Sequence, residues 1–162
     1  MLGPRLRECG IAQGDRLCVA IPNGAEAAVA FLAMSLFCTF CPLNVNLTPK
    51  EFAFEFEDLP AKALVLMRGH GHNPKALQCA RDARLPVLEL CTEGCDAVGL
   101  FALRWHEGCE GRGLPPLPQG TARLWPQRSD VALVLHTSGT TKRPKIVPLT
   151  HRNLCCGGQL GC

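Results

Sequence analysis

Short apolar runs recur along the chain, and a segment carrying a helix-start signal lies between one and the next. Arg16-Leu-Cys-Val-Ala-Ile21 ends in Pro22-Asn23-Gly24, Ala63-Leu-Val-Leu-Met67 precedes Asn73-Pro74, and Pro86-Val-Leu-Glu-Leu90 follows the helical pattern that runs from there through about Arg84. Runs this short, bounded by Gly, Pro and Asn, read as buried strands, and the segments between them are long enough for crossover helices. Strand, helix and strand in this order predict an α/β fold, layered around a largely parallel sheet.

Asn23 stands where it can cap the first helix, with Glu26 in the capping-box position. The apolar stretch Ala27 to Cys41 then reads as a buried helix, too short for the ~20 residues that cross a bilayer. In Glu51-Phe-Ala-Phe-Glu-Phe-Glu57 the alternating phenylalanines favour a strand, yet Thr48-Pro49-Lys50-Glu51 is a capping box with proline at the first helical position. Phe52, Phe56 and Leu59 then form an i, i+4, i+7 stripe, which decides for helix.

From Cys91 to Arg128, glycine and proline interrupt every candidate element except a short strand over Leu100 to Trp105. This region, 91–128, reads as an irregular connector. The net charge of +3, from 17 Lys+Arg against 14 Asp+Glu, has no basic run behind it and does not suggest a nucleic-acid partner. The chain has 11 cysteines, an odd number, with Cys38-x-x-Cys41 as the lone CxxC pair. No nearby His completes a tetrahedral site, so reduced cysteines packed as small hydrophobes are expected, with no metal site. The first residues lack a secretory pattern and Gly161-Cys162 completes no targeting tripeptide, so an intracellular chain, cytosolic or peroxisomal, is expected.

Residues 131–149 carry the chemistry. Asp130-Val-Ala-Leu-Val-Leu135 runs into His136-Thr-Ser-Gly-Thr-Thr-Lys-Arg-Pro-Lys145, after which Ile146-Val-Pro-Leu149 is apolar again. The hydroxyls of Thr137, Ser138, Thr140 and Thr141 surround Gly139, so short donors and a side-chain-free backbone sit together. Lys142, Arg143 and Lys145 add positive charge. Such a loop suits phosphate, though a water-solvated hairpin turn has the same composition; a Walker A loop is excluded, because no second glycine precedes a Lys-Ser/Thr pair.

The segment HTSGTTKRPKIVPLTHRNL resembles the phosphate-loop signature of the adenylate-forming superfamily of acyl-CoA synthetases, luciferases and peptide-synthetase adenylation domains. GDRLCVAIPNGAEAAVAFLA, CPLNVNLTPKEFAFEFED and AKALVLM are similar to that family's amino-terminal region in order and spacing, and the spelling is nearest the oxalate–CoA ligase and coumarate-ligase-like branch. The resemblance implies that residues 1–162 are part of an amino-terminal AMP-binding domain, with the carboxy-terminal domain absent. It implies an acid–CoA ligase that uses ATP, Mg2+ and CoA on a small carboxylic acid such as oxalate, or on an aryl or fatty acid. Thr137, Ser138, Gly139, Thr140, Thr141 and Lys145 then match the loop that holds the ATP phosphates, and none of them is a catalytic acid or base.

Two positions depart from the pattern: Lys142 and Ile146 stand where the family usually has glycine, which predicts a loop with less backbone freedom and weakened nucleotide contact. His136 is open between a ligand donor and a satisfied structural histidine. Thr150 is expected to cap a helix, with His151 as a first-turn surface residue. Members of the family are roughly three times longer, so the chain alone is expected to be inactive; a fragment of a ligase and a short non-catalytic interaction module are the two alternatives.

Overall fold

The computed structural model describes residues 2–107, 114–117, 125–137 and 144–160. The strands are β1 (Arg16–Ala20), β2 (Thr39–Pro42), β3 (Ala63–Met67), β4 (Val87–Cys91), β5 (Ala102–Trp105), β6 (Val131–Thr137) and β7 (Lys145–Thr150); the helices are α1 (Leu2–Glu8), α2 (Ala25–Met34), α3 (Pro49–Asp58), α4 (Pro74–Asp82) and α5 (His151–Leu160). The strands form a 7-stranded sheet in the order β5-β4-β3-β1-β2-β6-β7. β4, β3, β1, β2 and β6 are mutually parallel, while β5 and β7 add antiparallel edges.

The chain winds to β2 on one side of β1 and returns to β3 on the other, which puts α2 on one face and α3 with α4 on the opposite one. Strand alternation then divides the core. Leu17, Val19, Val65, Leu88 and Leu90 pack with Leu6 of α1 and Ala30 and Met34 of α2. Cys18, Ala20, Leu64, Leu66 and Val87 pack with Phe52 and Phe56 of α3, Leu59 just after it, and Leu77 and Ala80 of α4. Burial on both faces explains why the strands read as unbroken apolar runs.

The capping box of α3 is complete: Glu51 N–H donates to the Thr48 hydroxyl while Thr48 N–H donates to the Glu51 carboxylate at 2.7 Å. Period two in the phenylalanines is therefore overridden by the cap, and Phe52 and Phe56 are buried while Phe54 is half-buried. Asn73 caps α4 as its position suggested, accepting from Ala76 N–H at 3.1 Å.

The stretch from Ala27 to Cys41 corrects the sequence reading. Helix α2 stops at Met34, where Ser35 N–H and hydroxyl bond the Phe31 and Leu32 carbonyls, and Thr39–Pro42 becomes a strand. β-Branched Thr39 suits a strand, and its hydroxyl donates to the Val131 carbonyl at 2.8 Å, joining β2 to β6. Nor is the helix buried all round: Val29 and Leu32 are exposed, Leu32 at 65%. Its cap is Gly24 rather than Asn23, and Glu26 accepts instead from Gly99 N–H at 3.0 Å.

Helix α1 carries the i, i+4 pair Leu2 and Leu6, a signal too short to announce a helix by itself. Gly10 ends it at φ +72°, letting Ile11 N–H reach the Leu6 carbonyl at 2.9 Å. A Cβ there would lie 2.5 Å from the Pro115 carbonyl oxygen, so the position excludes other residues twice over.

Candidate phosphate-binding site

The antiparallel register of β6 and β7 sets Thr137 opposite Lys145, at the end of the sheet where the parallel strands finish. This is where open α/β sheets take their ligands. Both residues are exposed, so a hydroxyl and an ammonium flank the two ends of the connecting loop. Of the six residues assigned to phosphate from the sequence, Thr137 and Lys145 are thus brought together; Ser138, Gly139, Thr140 and Thr141 lie outside the described residues, as does Lys142.

Ile146 pairs with His136 inside β7, and its φ is not positive. An extended strand accommodates isoleucine without strain, so the expected loss of backbone freedom does not arise at this position. Pro148, which has no N–H to give, is tolerated because β7 is the sheet's edge.

The end of β6 is tied to α3. Both nitrogens of His136 face carboxylates: Nδ1 meets Glu55 Oε2, and Nε2 meets Asp58 Oδ2 at 2.9 Å. Burial pushes the Glu55 carboxyl above its ordinary range, an effect His136 partly offsets. Carboxylates only accept, so satisfying both contacts requires a proton on each ring nitrogen or one on a carboxyl. Of the two readings of His136, the structure gives a ring satisfied within the protein. Its partners lie 81 and 78 residues away, and the only local hint was a carboxylate pair at i, i+3 with Glu55 beside the apolar stripe.

Thr150 does cap α5, by a reciprocal pair: Asn153 N–H donates to the Thr150 hydroxyl at 3.2 Å and Thr150 N–H to Asn153 Oδ1 at 2.9 Å. His151 is not a free surface residue, however. It is half-buried, and its Nε2 lies 3.0 Å from the Ser35 carbonyl, which fastens α5 to the turn after α2.

On the face of β6 shared by Leu133, Leu135 and, by alternation, Thr137, an apolar cavity of about 260 Å³ lies against Val19, Phe31 and Phe40. Cys38 and Cys41 point into different clusters on opposite faces of the sheet, so the CxxC spacing brings no two sulfurs to one site. Burial pushes the Cys41 thiol up to about 12 and raises Cys18 and Cys38 as well, leaving all three as unreactive packing groups. Cys155 and Cys156 depart from the expected core role, being exposed on α5; Cys109 and Cys162 lie outside the described residues. Among the described residues no group of three His, Cys, Asp or Glu could hold a metal ion, and no helix is long and apolar enough to cross a membrane.

Residues 1–160 match the AMP-binding enzyme family. The chain belongs to that family. It is 36% identical over 93% of its length to a probable CoA ligase of Humulus lupulus, and 34% identical over 91% to an oxalate–CoA ligase of Arabidopsis thaliana. The chain spans 27% of the length of each of these relatives. The fold is that of ATP-bound MatB from Rhodopseudomonas palustris, with a TM-score of 0.67 at 24% identity, covering 98% of this chain and 29% of that one. The expected α/β layers and the adenylate-forming resemblance are both borne out.

Proposed function

We propose that this chain is the amino-terminal, phosphate-holding part of an ATP-dependent acid–CoA ligase, with oxalate as its acid. The single observation that carries the reading is the register of Thr137 against Lys145 at the carboxyl edge of the sheet, on either side of Ser138 to Thr141. The hydroxyl of Thr137 can donate to a β- or γ-phosphate oxygen, and the Lys145 ammonium faces the same oxygens as a point charge. The similarity to an oxalate–CoA ligase over 91% of the chain supports the choice of acid.

In the reaction so proposed, a carboxylate oxygen of the acid attacks the α-phosphorus of ATP and pyrophosphate leaves. The CoA thiolate then attacks the acyl carbon of the adenylate and AMP leaves. Thr137, Ser138, Gly139, Thr140, Thr141 and Lys145 contribute by holding the departing phosphates and matching their charge, with no proton transfer of their own. Mg2+ supplies further countercharge to ATP in such chemistry; the described residues offer it no ligand set, and no step here passes through it.

Calorimetry with Mg-ATP tests the reading. Lys145→Ala is expected to weaken binding about tenfold, the size of one lost charge-assisted hydrogen bond, and Lys142→Gly to strengthen it. No measurable binding by the unaltered chain, or an indifferent Lys145→Ala, would overturn it. The 162-residue chain alone is expected to show no acid-dependent ATP–pyrophosphate exchange.

The exposed apolar residues of α2, Val29 and Leu32, favour a second reading, a non-catalytic module that acts by binding another polypeptide. An antibody to the connector separates the two by the mass of the native product in cell extract. A band several times 17.5 kDa supports the ligase, and one at that mass supports the module.

A further inference from the structure

Among the described residues beside the β6–β7 loop, His136 has both ring nitrogens engaged with another element, and the phosphate-holding role gives it nothing to do. The sheet explains why such a tie is needed. On its inner side β6 pairs with β2 through Phe40 and Leu133, while the residues from Val134 to Thr137 are paired with β7. β7 is itself an edge strand with every residue exposed or half-buried, so it is a poor anchor. α3 is a good one: Phe52, Phe56 and Leu59 are buried against the sheet and the Thr48 box fixes its start. Glu55 and Asp58, at i and i+3, project from the same side of this helix and take opposite nitrogens of the imidazole. Because the carboxylates sit on opposite sides of the ring, they do not form one metal's ligand set. Phe54 adds a ring contact to His136 at 6.4 Å.

We infer that His136 is a positioning residue for the phosphate loop: gripped by Glu55 and Asp58, it fixes the direction in which β6 delivers Thr137 and, through the register, Lys145. The inference rests on the phosphate-holding reading above. Both ring nitrogens are taken up by Glu55 and Asp58, so it acts through its neighbours in the strand. Two motifs that the sequence shows far apart, the helix opened by the Thr48-Pro49-Lys50-Glu51 box and the strand end that carries Thr137, are joined through this ring.

The test uses the 162-residue chain, with Mg-ATP and inorganic tripolyphosphate as probes in calorimetry and thermal melts run beside them. His136→Ala is expected to weaken both probes by about the same factor, on the order of tenfold, since the defect lies in the phosphate cradle and not at the base. Asp58→Asn is expected to weaken both by about threefold, and to add nothing in the His136→Ala background because the two act as a unit. His136→Gln, whose amide can still donate to one carboxylate, should recover part of the lost binding while melting alongside His136→Ala; a purely structural role would move the melt and the binding together. The ring ¹⁵N signals of His136 should shift as tripolyphosphate is added, with the midpoint that calorimetry gives.

A folded His136→Ala that binds both probes like the unaltered chain overturns the inference while leaving the phosphate-holding reading intact, and so does additivity with Asp58→Asn. If the unaltered chain binds neither probe, the phosphate-holding reading itself fails and the inference falls with it. Should His136→Ala fail to fold, Asp58→Asn decides by the same comparison.

Discussion

The two flanks of the sheet are finished to different standards. Around β1, β3 and β4 nearly every residue is buried, because α2 with α1 covers one face and α3 with α4 covers the other. Around β6 and β7 the covering thins: β7 has no fully buried residue, and α5 exposes most of its length. The first flank holds itself together by packing. The second depends on a few directed contacts, His136 to α3, His151 to Ser35 and Thr39 to Val131. A surface left this open, next to the groups that would meet phosphate, is suited to receiving something, and a close-packed one is suited to carrying it.

The sharpest way to break this contrast is a matched pair of truncations. Leu64→Ala, in fully buried β3, is expected to cost about 3 kcal/mol or more, and Leu149→Ala, half-buried in β7, about 1 kcal/mol. Urea titration of both gives the difference directly, and equal losses would mean that the second flank is as tightly packed as the first. The caps give a smaller version of the same experiment. Thr48→Ala should cost about 1 kcal/mol, and Thr150→Ala less than half of that, since α5 has little tertiary packing to lose.

A smaller change in stability, with a larger one in behaviour, is expected on α2. Leu32→Glu should alter unfolding free energy by no more than about 0.5 kcal/mol while reducing self-association in sedimentation, because Leu32 is 65% exposed beside Val29. The smallest effect is electrostatic. Burial raises the Glu55 pKa above the ordinary 4.5, so between the two values the folded chain binds more protons there than the unfolded chain. That contribution is present at low pH and lost as pH rises through the raised value. Stability of the unaltered chain should therefore fall relative to Glu55→Gln as pH climbs from about 4.5, and parallel curves would show that the clamp contributes no linkage.

Strands were legible on both flanks, β6 and β7 as well as β1, β3 and β4. Apolar runs, turn residues and caps are local signals, and they placed β1, β3, β4, α3 and α4 within a residue or two of where they lie. What the sequence hid was decided at a distance. Nothing local in Ala27 to Cys41 says that Thr39 will be claimed by Val131, so a helix and a strand read as one helix. Asn23 looks like a cap until Gly99 takes up Glu26, and His136 looks like a possible ligand until Glu55 and Asp58 arrive from α3. Of the site itself, the residue types of the loop were readable; the pairing of Thr137 with Lys145 needed the register.

The bond from Thr39 to Val131 closes a separation of 92 residues, and it sets a timetable. A ribosome adds about 5–20 residues per second, so the β6-facing side of β2 waits on the order of ten seconds before its partner exists. Through that interval a nascent chain whose β1, β2 and β3 have already met carries Phe40 and Cys41 on an unsatisfied parallel edge, open to strand addition from any neighbour. The arrival of β6 thus does double duty, starting the proposed phosphate site and pairing the open edge of β2.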